Sequence, residues 1–160
     1  MAKEKFPGTQ AIRILKKHAA NYTLHPYRYE EKGGTGGAAE ALNVEEYQVI
    51  KTLVMEDDKK EPLLMLMHGN RQVSTKALAR ALKVKMVQPC EPQMAYRHTG
   101  YFVGGMSPFG IKKELKVYIE ATIMDLPRIY INAGRKGLLA EMSPKDLIKI
   151  LDPIPVNVAV

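Results

Sequence analysis

Cysteine is almost absent from this sequence of 160 residues, in which Cys90 is the only one. A single cysteine forms no internal disulfide, so we expect a reducing compartment and predict a cytoplasmic location. Long hydrophobic runs are also missing: Leu63–Met67 is among the longest, and a membrane-spanning helix needs roughly 20 apolar residues. The segment Met1–Lys5 is charged and does not resemble a signal peptide. We therefore expect no membrane segment.

The motifs of several catalytic and cofactor-binding classes are missing as well. The four histidines lack the HExxH or paired-cysteine spacing of metal sites, and no GxSxG, GxGxxG or Walker phosphate loop occurs. The cluster Gly33–Gly37 lacks the lysine and hydroxyl residue that grip phosphates and is predicted to be a flexible loop. Cys90 has no adjacent cation to stabilise a thiolate. We expect neither a metal nor a cofactor. The sequence leaves open a Ser/His/Asp or Cys/His catalytic triad formed by residues that are distant from one another in the chain.

Positive charge is abundant, with a net charge of +7 and a pI near 9.4. Such a field attracts polyanions, and nucleic acid is favoured over an anionic membrane because no long basic amphipathic helix is evident. Solvated surface lysines explain the same charge equally well.

With 46% hydrophobic residues, the chain can close one core but is short for two, so residues 1–160 are predicted to form one domain.

Hydrophobic periodicity predicts short strands interspersed with helices, and therefore an α+β fold with a mixed or mostly antiparallel sheet. A hairpin turn is predicted at His68–Arg71, and a frayed tail, which could pack in trans, from Pro153. The predicted helices are one capped by Thr9 and ending near Asn21, Ala38–Leu42, Lys76–Leu82 capped by Ser74 or Thr75, Glu91–His98, and one from Ser143-Pro144 through Leu151. The predicted strands are Thr23–Tyr29, Val49–Met55, Leu63–His68, Val84–Val87, Leu115–Met124, Arg128–Asn132 and Leu138–Met142.

The segment Thr99–Lys113 resembles a small apolar strand broken at Gly104-Gly105 and resumed beyond Pro108. Adjacent glycines can bring backbone N–H groups close to a ligand, and a proline fixes the turn that aims them. One interpretation is a backbone site for a carbonyl or an anion. The other is an ordinary bulge or hairpin corner, and local spacing does not decide between them.

Lys51 interrupts an apolar strand, on the face that carries Val49, Leu53 and Met55. An ammonium group on such a face must reach water, pair with an anion or lose its charge. A pocket lysine that meets a phosphate is one solution. A lysine that extends to water from the end of a strand is the other.

Several segments, taken in order, resemble the YbaK/EbsC family across nearly the whole chain. The matching segments are Leu24-His25-Pro26-Tyr27, Lys51-Thr52-Leu53-Val54, Thr99 to Pro108, Ile129-Tyr130, Gly134 to Leu138, Glu141, and Pro144 to Leu147. The family includes free-standing aminoacyl-tRNA deacylases and the editing domain inserted in many prolyl-tRNA synthetases. The sequence is most similar to the YbaK branch, which hydrolyses Cys-tRNA(Pro). The resemblance implies a compact fold with a mixed, barrel-like sheet flanked by helices.

The resemblance also implies roles for individual residues. Lys51 matches the lysine that binds phosphate and ribose at the acceptor end of tRNA, and Gly104 lies in the loop whose amides face the aminoacyl carbonyl. Gly105 joins Gly104 as a catalytic candidate. The remaining candidates are substrate-binding: Tyr27, Tyr101, Ser107, Pro108, Asn132 and Gly134. At Asn132 relatives often carry serine, and Ala133 replaces a common glycine.

The implied reaction is trans-editing, in which a mischarged aminoacyl ester is cleaved. No protein nucleophile is evident, but a substrate cysteine can attack its own carbonyl with its thiol when a pocket folds it back. The implied partners are the acceptor end of aminoacyl-tRNA and prolyl-tRNA synthetase, with neither DNA nor a membrane. Two alternatives stay open: a deacylase for another small amino acid such as alanine, in which water attacks, and a non-catalytic adaptor that binds tRNA or a synthetase.

Overall fold

The computed structural model describes residues 8–160, so the charged segment Met1–Lys5 lies outside the described residues. The helices are α1 (Gln10–Lys17), α2 (Gly34–Leu42), α3 (Thr75–Leu82), α4 (Pro92–Thr99) and α5 (Pro144–Leu151). The strands are β1 (Tyr22–Pro26), β2 (Val49–Asp57), β3 (Pro62–His68), β4 (Val87–Pro89), β5 (Lys116–Glu120), β6 (Ile129–Asn132), β7 (Leu138–Met142) and β8 (Ile154–Val156). Short 3₁₀ turns cover Glu46–Gln48 and Ala121–Asp125.

All of these strands belong to one mixed sheet, in the order β1-β7-β6-β2-β3-β5-β8, with β4 paired to β2. The β2–β6, β3–β5 and β5–β8 pairs are parallel, and the others are antiparallel. The α+β class with a mixed sheet is thereby confirmed.

Strand β3 lies in the middle of the sheet and is buried on both faces. Leu64 and Leu66 pack into the larger core with α1, while Met65 and Met67 pack into a second core with Leu78 of α3. Side chains that alternate between the faces of a strand must each find a cover. An uninterrupted apolar strand such as β3 therefore requires helices on both sides of the sheet.

Three of the helices begin at predicted capping residues. The Oγ1 atom of Thr9 accepts the N–H of Ile12 at 3.1 Å, Ser74 accepts the N–H of Ala77, and Ser143 accepts the N–H of Lys145. These bonds satisfy N–H groups that the first helical turn leaves unpaired.

Helix α1 ends at Lys17 rather than near Asn21. Strand β1 is an edge strand, as the proline at its end predicted.

The prediction of a loop over Gly33–Gly37 was wrong, because α2 begins inside this cluster at Gly34. Ala38 and Ala39 are buried and pack with Val49 and Leu139. Glycine is a poor helix former in isolation, so tertiary packing of the alanine face overrides the local preference.

A turn forms at His68–Arg71, where the N–H of Arg71 donates to the carbonyl of His68 at 3.1 Å, but it does not close a hairpin as predicted. The β2–β3 hairpin turns instead at Asp57–Glu61, where Oδ1 of Asp57 accepts the N–H groups of Lys59 and Glu61. The charged residues Asp57–Glu61 therefore form the turn of this hairpin. Strand β4 lies later than its predicted position, and no strand forms between α4 and β5 within the described chain.

The tail from Pro153 is ordered, contrary to the prediction. Strand β8 pairs with β5, and the buried carboxylate of Glu120 accepts the N–H of Val158 at 2.7 Å and that of Ala159 at 3.2 Å. Gln72 and Val160 exchange backbone hydrogen bonds. The tail therefore packs in cis, because a buried acceptor and a parallel strand edge are both available to it.

Candidate functional site

A cavity of about 850 Å³ opens where the edge of β2 lacks a neighbouring strand. Along this edge β6 pairs only with Val49 and Ile50, and β4 only with Met55–Asp57. The intervening residues, Lys51–Val54, border the cavity. The divergence of two strands from one edge therefore creates the site.

Lys51 lies in this gap, half-buried, and its Nζ atom donates a hydrogen bond to the carbonyl of Arg71 at 2.6 Å. Burial lowers the pKa of the Lys51 ammonium, while the nearby charge of Glu46 opposes that shift. With one donor used, the ammonium retains two for a ligand. Its position on the cavity wall agrees with the implied role of a phosphate-binding lysine.

Gly104 reaches the same cavity from the loop that follows α4. Its φ of +94° suits glycine, and a Cβ there would lie 2.6 Å from Oη of Tyr29. The N–H of Gly104 donates to no acceptor within residues 8–160 and is free to meet a ligand.

Gly105 does not share this arrangement, because its N–H donates to the carbonyl of Phe102 at 2.9 Å. The predicted pair of amides is corrected to the amide of Gly104 alone. Gly105 serves packing: a Cβ at this position would lie 2.9 Å from the backbone nitrogen of Lys136.

Tyr27 and Asn132 also line the cavity. The N–H of Tyr27 donates to the carbonyl of Gly137 at 2.9 Å, which anchors the segment after β1, and burial raises the pKa of the Tyr27 hydroxyl. The side-chain amide of Asn132 donates to the carbonyl of Gly104 at 3.3 Å. Asn132 thus connects two walls of the cavity.

The other predicted substrate-binding residues lie behind the wall. The Tyr101 hydroxyl donates to the carbonyl of Phe109 at 2.6 Å, and Ser107 Oγ accepts the N–H of Phe109 at 3.2 Å. Pro108 is buried in the same loop, and a Cβ on Gly134 would come within 2.9 Å of the Tyr101 ring. These contacts hold the glycine loop in place, so Tyr101, Ser107, Pro108 and Gly134 support the cavity from behind.

Sequence reasoning missed a carboxylate in the cavity. Glu46 lines the wall, and Oε2 of its carboxylate accepts the hydroxyl of Thr35 at 2.7 Å. The same hydroxyl lies 3.1 Å from the carbonyl of Gly69. Glu46 lies five positions before Lys51, in the 3₁₀ turn that precedes β2. No local motif could have identified it, because only the packing of α2 brings Thr35 to it.

The remaining polar groups of the wall differ in reactivity. Cys90 lines the cavity, but burial, assisted by the charge of Glu56, raises the pKa of its thiol to about 11. The Oγ1 atom of Thr52 is buried and has no hydrogen-bond partner in the described chain. At the rim, Nζ of Lys136 lies 3.4 Å from Glu31 and 5.1 Å from the centroid of the Tyr29 ring. No histidine lines the cavity among the described residues.

Metal-ligating side chains do not cluster in the described part of the chain: residues 8–160 contain no group of three or more His, Cys, Asp or Glu placed to bind an ion. None of the described helices is long and apolar enough to cross a membrane.

Comparison with known proteins gives the cavity a context. The family model of the aminoacyl-tRNA editing domain matches residues 34–150. A protein of Enterococcus faecalis, named as a candidate Cys-tRNA(Pro)/Cys-tRNA(Cys) deacylase, EbsC, is 30% identical over 94% of this chain and 93% of its own. The proline–tRNA ligase of Limosilactobacillus reuteri is 25% identical over 85% of this chain but only 23% of its own.

Solved structures share the fold. The hypothetical protein APE2540 aligns with a TM-score of 0.86 at 19% identity, over 95% of this chain and 100% of its own. A candidate trans-editing enzyme for prolyl-tRNA synthetase aligns with a TM-score of 0.82 at 20% identity, over 97% and 99%. The family model spans most of the sequence, including Lys51, Gly104 and Asn132. The chain therefore belongs to the aminoacyl-tRNA editing domain family.

Proposed function

We propose that the protein is a trans-editing aminoacyl-tRNA deacylase that removes cysteine from Cys-tRNA(Pro). The observation that carries this proposal is that Lys51 and Gly104, the latter with an unpaired backbone N–H among the described residues, line one cavity. Its volume of about 850 Å³ lies within the range of small-molecule sites and accommodates an aminoacylated nucleoside. The family and the name of the Enterococcus faecalis relative support this assignment.

In the proposed complex, Lys51 binds the phosphate or ribose of the terminal nucleotide. Its ammonium is compact, half-buried and set among apolar residues of β2, where a phosphate supplies a direct counter-charge in addition to the more distant carboxylate of Glu46. Lys51 therefore positions the ester, while Gly104 meets the carbonyl.

The N–H of Gly104 donates to the carbonyl oxygen of the ester, where negative charge develops during attack. Loss of one such donor commonly slows an acyl-transfer enzyme by about 100- to 1,000-fold. The buried contacts of Tyr101 and Ser107 with Phe109 hold the loop ready, so the donor need not reorganise during the reaction.

The nucleophile in this proposal comes from the substrate. Cys90, whose thiol pKa is raised to about 11, is protonated at neutral pH and is a weak nucleophile. The thiol of the substrate cysteine attacks its own carbonyl: a sulfur–carbon bond forms, the ester carbon–oxygen bond breaks, and the thiol proton passes to the departing ribose oxygen. The products are a cysteine thiolactone and uncharged tRNA.

Glu46 favours a second candidate, a deacylase for alanine or another small amino acid. A carboxylate in the cavity, held by Thr35 at 2.7 Å, can accept a proton from an attacking water. In this reaction the water oxygen bonds to the carbonyl carbon, the ester carbon–oxygen bond breaks, and the proton passes from Glu46 to the departing ribose oxygen, which gives the free amino acid and uncharged tRNA.

Prolyl-tRNA synthetase is the proposed partner, because its editing domains belong among the relatives of this chain. A small domain contacts little tRNA, so delivery by the synthetase would raise the local concentration of the substrate. The site of action would be the cytoplasm.

The decisive experiment measures amino-acid release from Cys-tRNA(Pro) and Ala-tRNA(Pro) by the wild-type protein, Lys51→Ala and Lys59→Ala. Lys59 is exposed in the β2–β3 turn, away from the cavity, and serves as the matched control. Lys51→Ala should lose about 30-fold or more of its activity toward the cysteine ester because a partly buried charge contact disappears. Lys59→Ala should retain full activity.

The outcomes separate the candidates. Release of cysteine alone supports the thiol mechanism, whereas release of alanine that is lost in Glu46→Gln supports the water mechanism. Normal turnover by Lys51→Ala would overturn the assigned role of that lysine. Binding of tRNA without release of either amino acid would establish the adaptor instead.

A further inference from the structure

Four large hydrophobic side chains remain exposed on α4 and on the loop after it, two elements that contribute residues to the cavity wall. Phe102 is 68% exposed, Val103 60%, Tyr96 44% and Met94 39%. Exposed aromatic side chains that lie together commonly mark an interaction surface. The other exposed large hydrophobic side chains of the described residues, Met86, Ile154 and Val160, lie elsewhere in the sequence, whereas these four fall within residues 94–103.

The rings of Tyr96 and Phe102 are stacked, with centroids 4.6 Å apart and planes inclined by 21°. Since Phe102 keeps two thirds of its surface exposed, a third flat ring can stack on this pair. Nucleobases are flat rings that stack on such platforms irrespective of their sequence.

The stacked pair adjoins the cavity directly. Val103 and Gly104, which follow Phe102, line the cavity, as do Pro92 and Ala95 of α4. A bound molecule whose reactive end contacts Gly104 can therefore extend out of the cavity past Phe102.

Positive charges flank the platform. Arg97 follows Tyr96 on α4, and the segment Lys112-Lys113 is tied to the end of α4 by backbone hydrogen bonds to Thr99 at 3.0 Å and to His98 at 2.9 Å. Arg97, Lys112 and Lys113 are exposed, and none has an ion-pair partner within the described range 8–160. Unpaired cations beside stacked rings complement a chain of phosphates and bases.

We propose that Phe102 and Tyr96 form a stacking platform for an unpaired base of the acceptor end, while Arg97, Lys112 and Lys113 bind the adjoining phosphates. A protein partner fits less well, since a stable protein interface uses about 20–30 residues a side and this cluster is far smaller. The proposal rests on the proposed function, because it assumes that RNA delivers the ester to the cavity.

The first test exploits the absence of tryptophan from the sequence. In Phe102→Trp the new indole is the only one, and stacking with a base should quench its fluorescence. The probe is an uncharged RNA hairpin with an unpaired 3′ end of a few nucleotides, compared with the same hairpin made blunt. The matched control is Met86→Trp, at a position that is 41% exposed and lies outside the cavity lining.

Saturable quenching of Phe102→Trp by the overhanging hairpin, with little effect of the blunt one and none on Met86→Trp, would support the platform. Equal quenching by both hairpins would overturn it. So would absence of quenching under conditions in which anisotropy of labelled RNA shows that the overhanging hairpin is bound.

A second test compares Phe102→Ala and Phe102→Leu by RNA anisotropy, with Ile154→Ala, 45% exposed on β8, as control. Loss of one stacked base should weaken binding about 5- to 150-fold in Phe102→Ala, and leucine should not restore it. Full recovery with leucine, or unchanged affinity with alanine, would show that no base stacks there.

These measurements use uncharged RNA and need no ester cleavage. If the wild-type protein released no amino acid but Phe102→Trp were quenched, the deacylase proposal would fail and the platform would stand. If the wild-type protein cleaved the ester but Phe102→Ala bound RNA with unchanged affinity, the deacylase proposal would stand and the platform would fail.

Discussion

Asn132 uses its whole side-chain amide to join the loop after β6 to Gly104. Its Oδ1 atom accepts the N–H of Gly134 at 2.7 Å and that of Arg135 at 3.0 Å. Its Nδ2 atom donates to the carbonyl of Gly104 at 3.3 Å and to that of Arg135 at 3.0 Å. An amide supplies both donors and acceptors, so Asn132 acts as a positioning residue for the loop that carries the Gly104 amide.

Asn132→Asp tests this positioning role. Aspartate keeps the acceptor but loses the donor and places a carboxylate beside the carbonyls of Gly104 and Arg135. We expect the free energy of unfolding to fall by about 1–3 kcal/mol, and kcat for the aminoacyl ester to fall more than KM rises. A rise in KM alone would contradict positioning and indicate direct substrate binding. Unfolding curves in denaturant and steady-state kinetics measure the two effects.

Gly104→Ala tests the backbone conformation of the loop. A side chain at φ +94° is strained by at least about 1 kcal/mol, and the new methyl group would also lie 2.6 Å from Oη of Tyr29. The double variant with Tyr29→Phe removes that hydroxyl but not the backbone strain. We therefore expect partial recovery of stability and activity in the double variant. Wild-type activity of Gly104→Ala would show that this conformation is unimportant.

Gly37→Ala should stabilise the protein. Gly37 lies within α2, its φ is not in the left-handed region, and a Cβ there would meet no atom within 4 Å. Alanine is favoured over glycine inside a helix by about 1 kcal/mol, so we expect a rise in thermal midpoint of about 2–4 °C. Activity should persist, because Gly37 does not line the cavity.

Gly36→Ala is the matched comparison. A Cβ at Gly36 would lie 3.5 Å from the Glu46 carboxylate, inside the cavity, so this variant should gain similar stability and lose activity. A destabilised Gly37→Ala would contradict the helical packing of this segment.

The lowered pKa of Lys51 predicts an alkaline limit to RNA binding. Burial moves that pKa below the ordinary value of 10.5, so the ammonium loses its proton, and its phosphate contact, at a lower pH than an exposed lysine. Between the lowered pKa and 10.5 the unfolded chain binds more protons than the folded chain, so the free energy of unfolding increases with pH there.

Anisotropy of a labelled, uncharged RNA hairpin measured between about pH 7 and about pH 9.5 checks this limit. Lys51→Arg stays charged throughout and should flatten the alkaline decline. Burial raises the pKa of Tyr101 to about 12 and also raises that of Tyr27, so ionisation of these two hydroxyls does not account for a decline in this range. An identical decline in Lys51→Arg would assign the effect to another group.

Local patterns predicted much of the fold. The caps at Thr9, Ser74 and Ser143 form as expected, because a capping hydroxyl acts within its own helical turn. The buried strands β2 and β3 follow from their apolar runs. The helix at Ala38–Leu42 was predicted, but its extension back to Gly34 was not, because the alanine face of α2 packs against Val49 and Leu139 of other elements.

The candidate site likewise contains some residues that the sequence singles out and others whose contacts depend on the folded structure. The local pattern singled out Lys51 on its apolar strand and Gly104 in its glycine pair as candidates, although it left a purely structural role open for each; both line the cavity. Glu46, Thr35 and Asn132 acquire their contacts only from folded neighbours. Gly105 resembles Gly104 in sequence but donates its N–H to Phe102, a difference that no spacing encodes.

By itself, the sequence determined the α+β class, the capped helices, the positive charge and the presence of a lysine, Lys51, among apolar strand residues. Each of these features depends on residue type or on short-range periodicity. The tertiary structure decided where β6 and β4 leave the edge of β2 open, which of the two glycine amides stays free, and how the tail docks on Glu120. These features arise from contacts between distant segments, whose hydrogen bonds are satisfied only after the chain has folded.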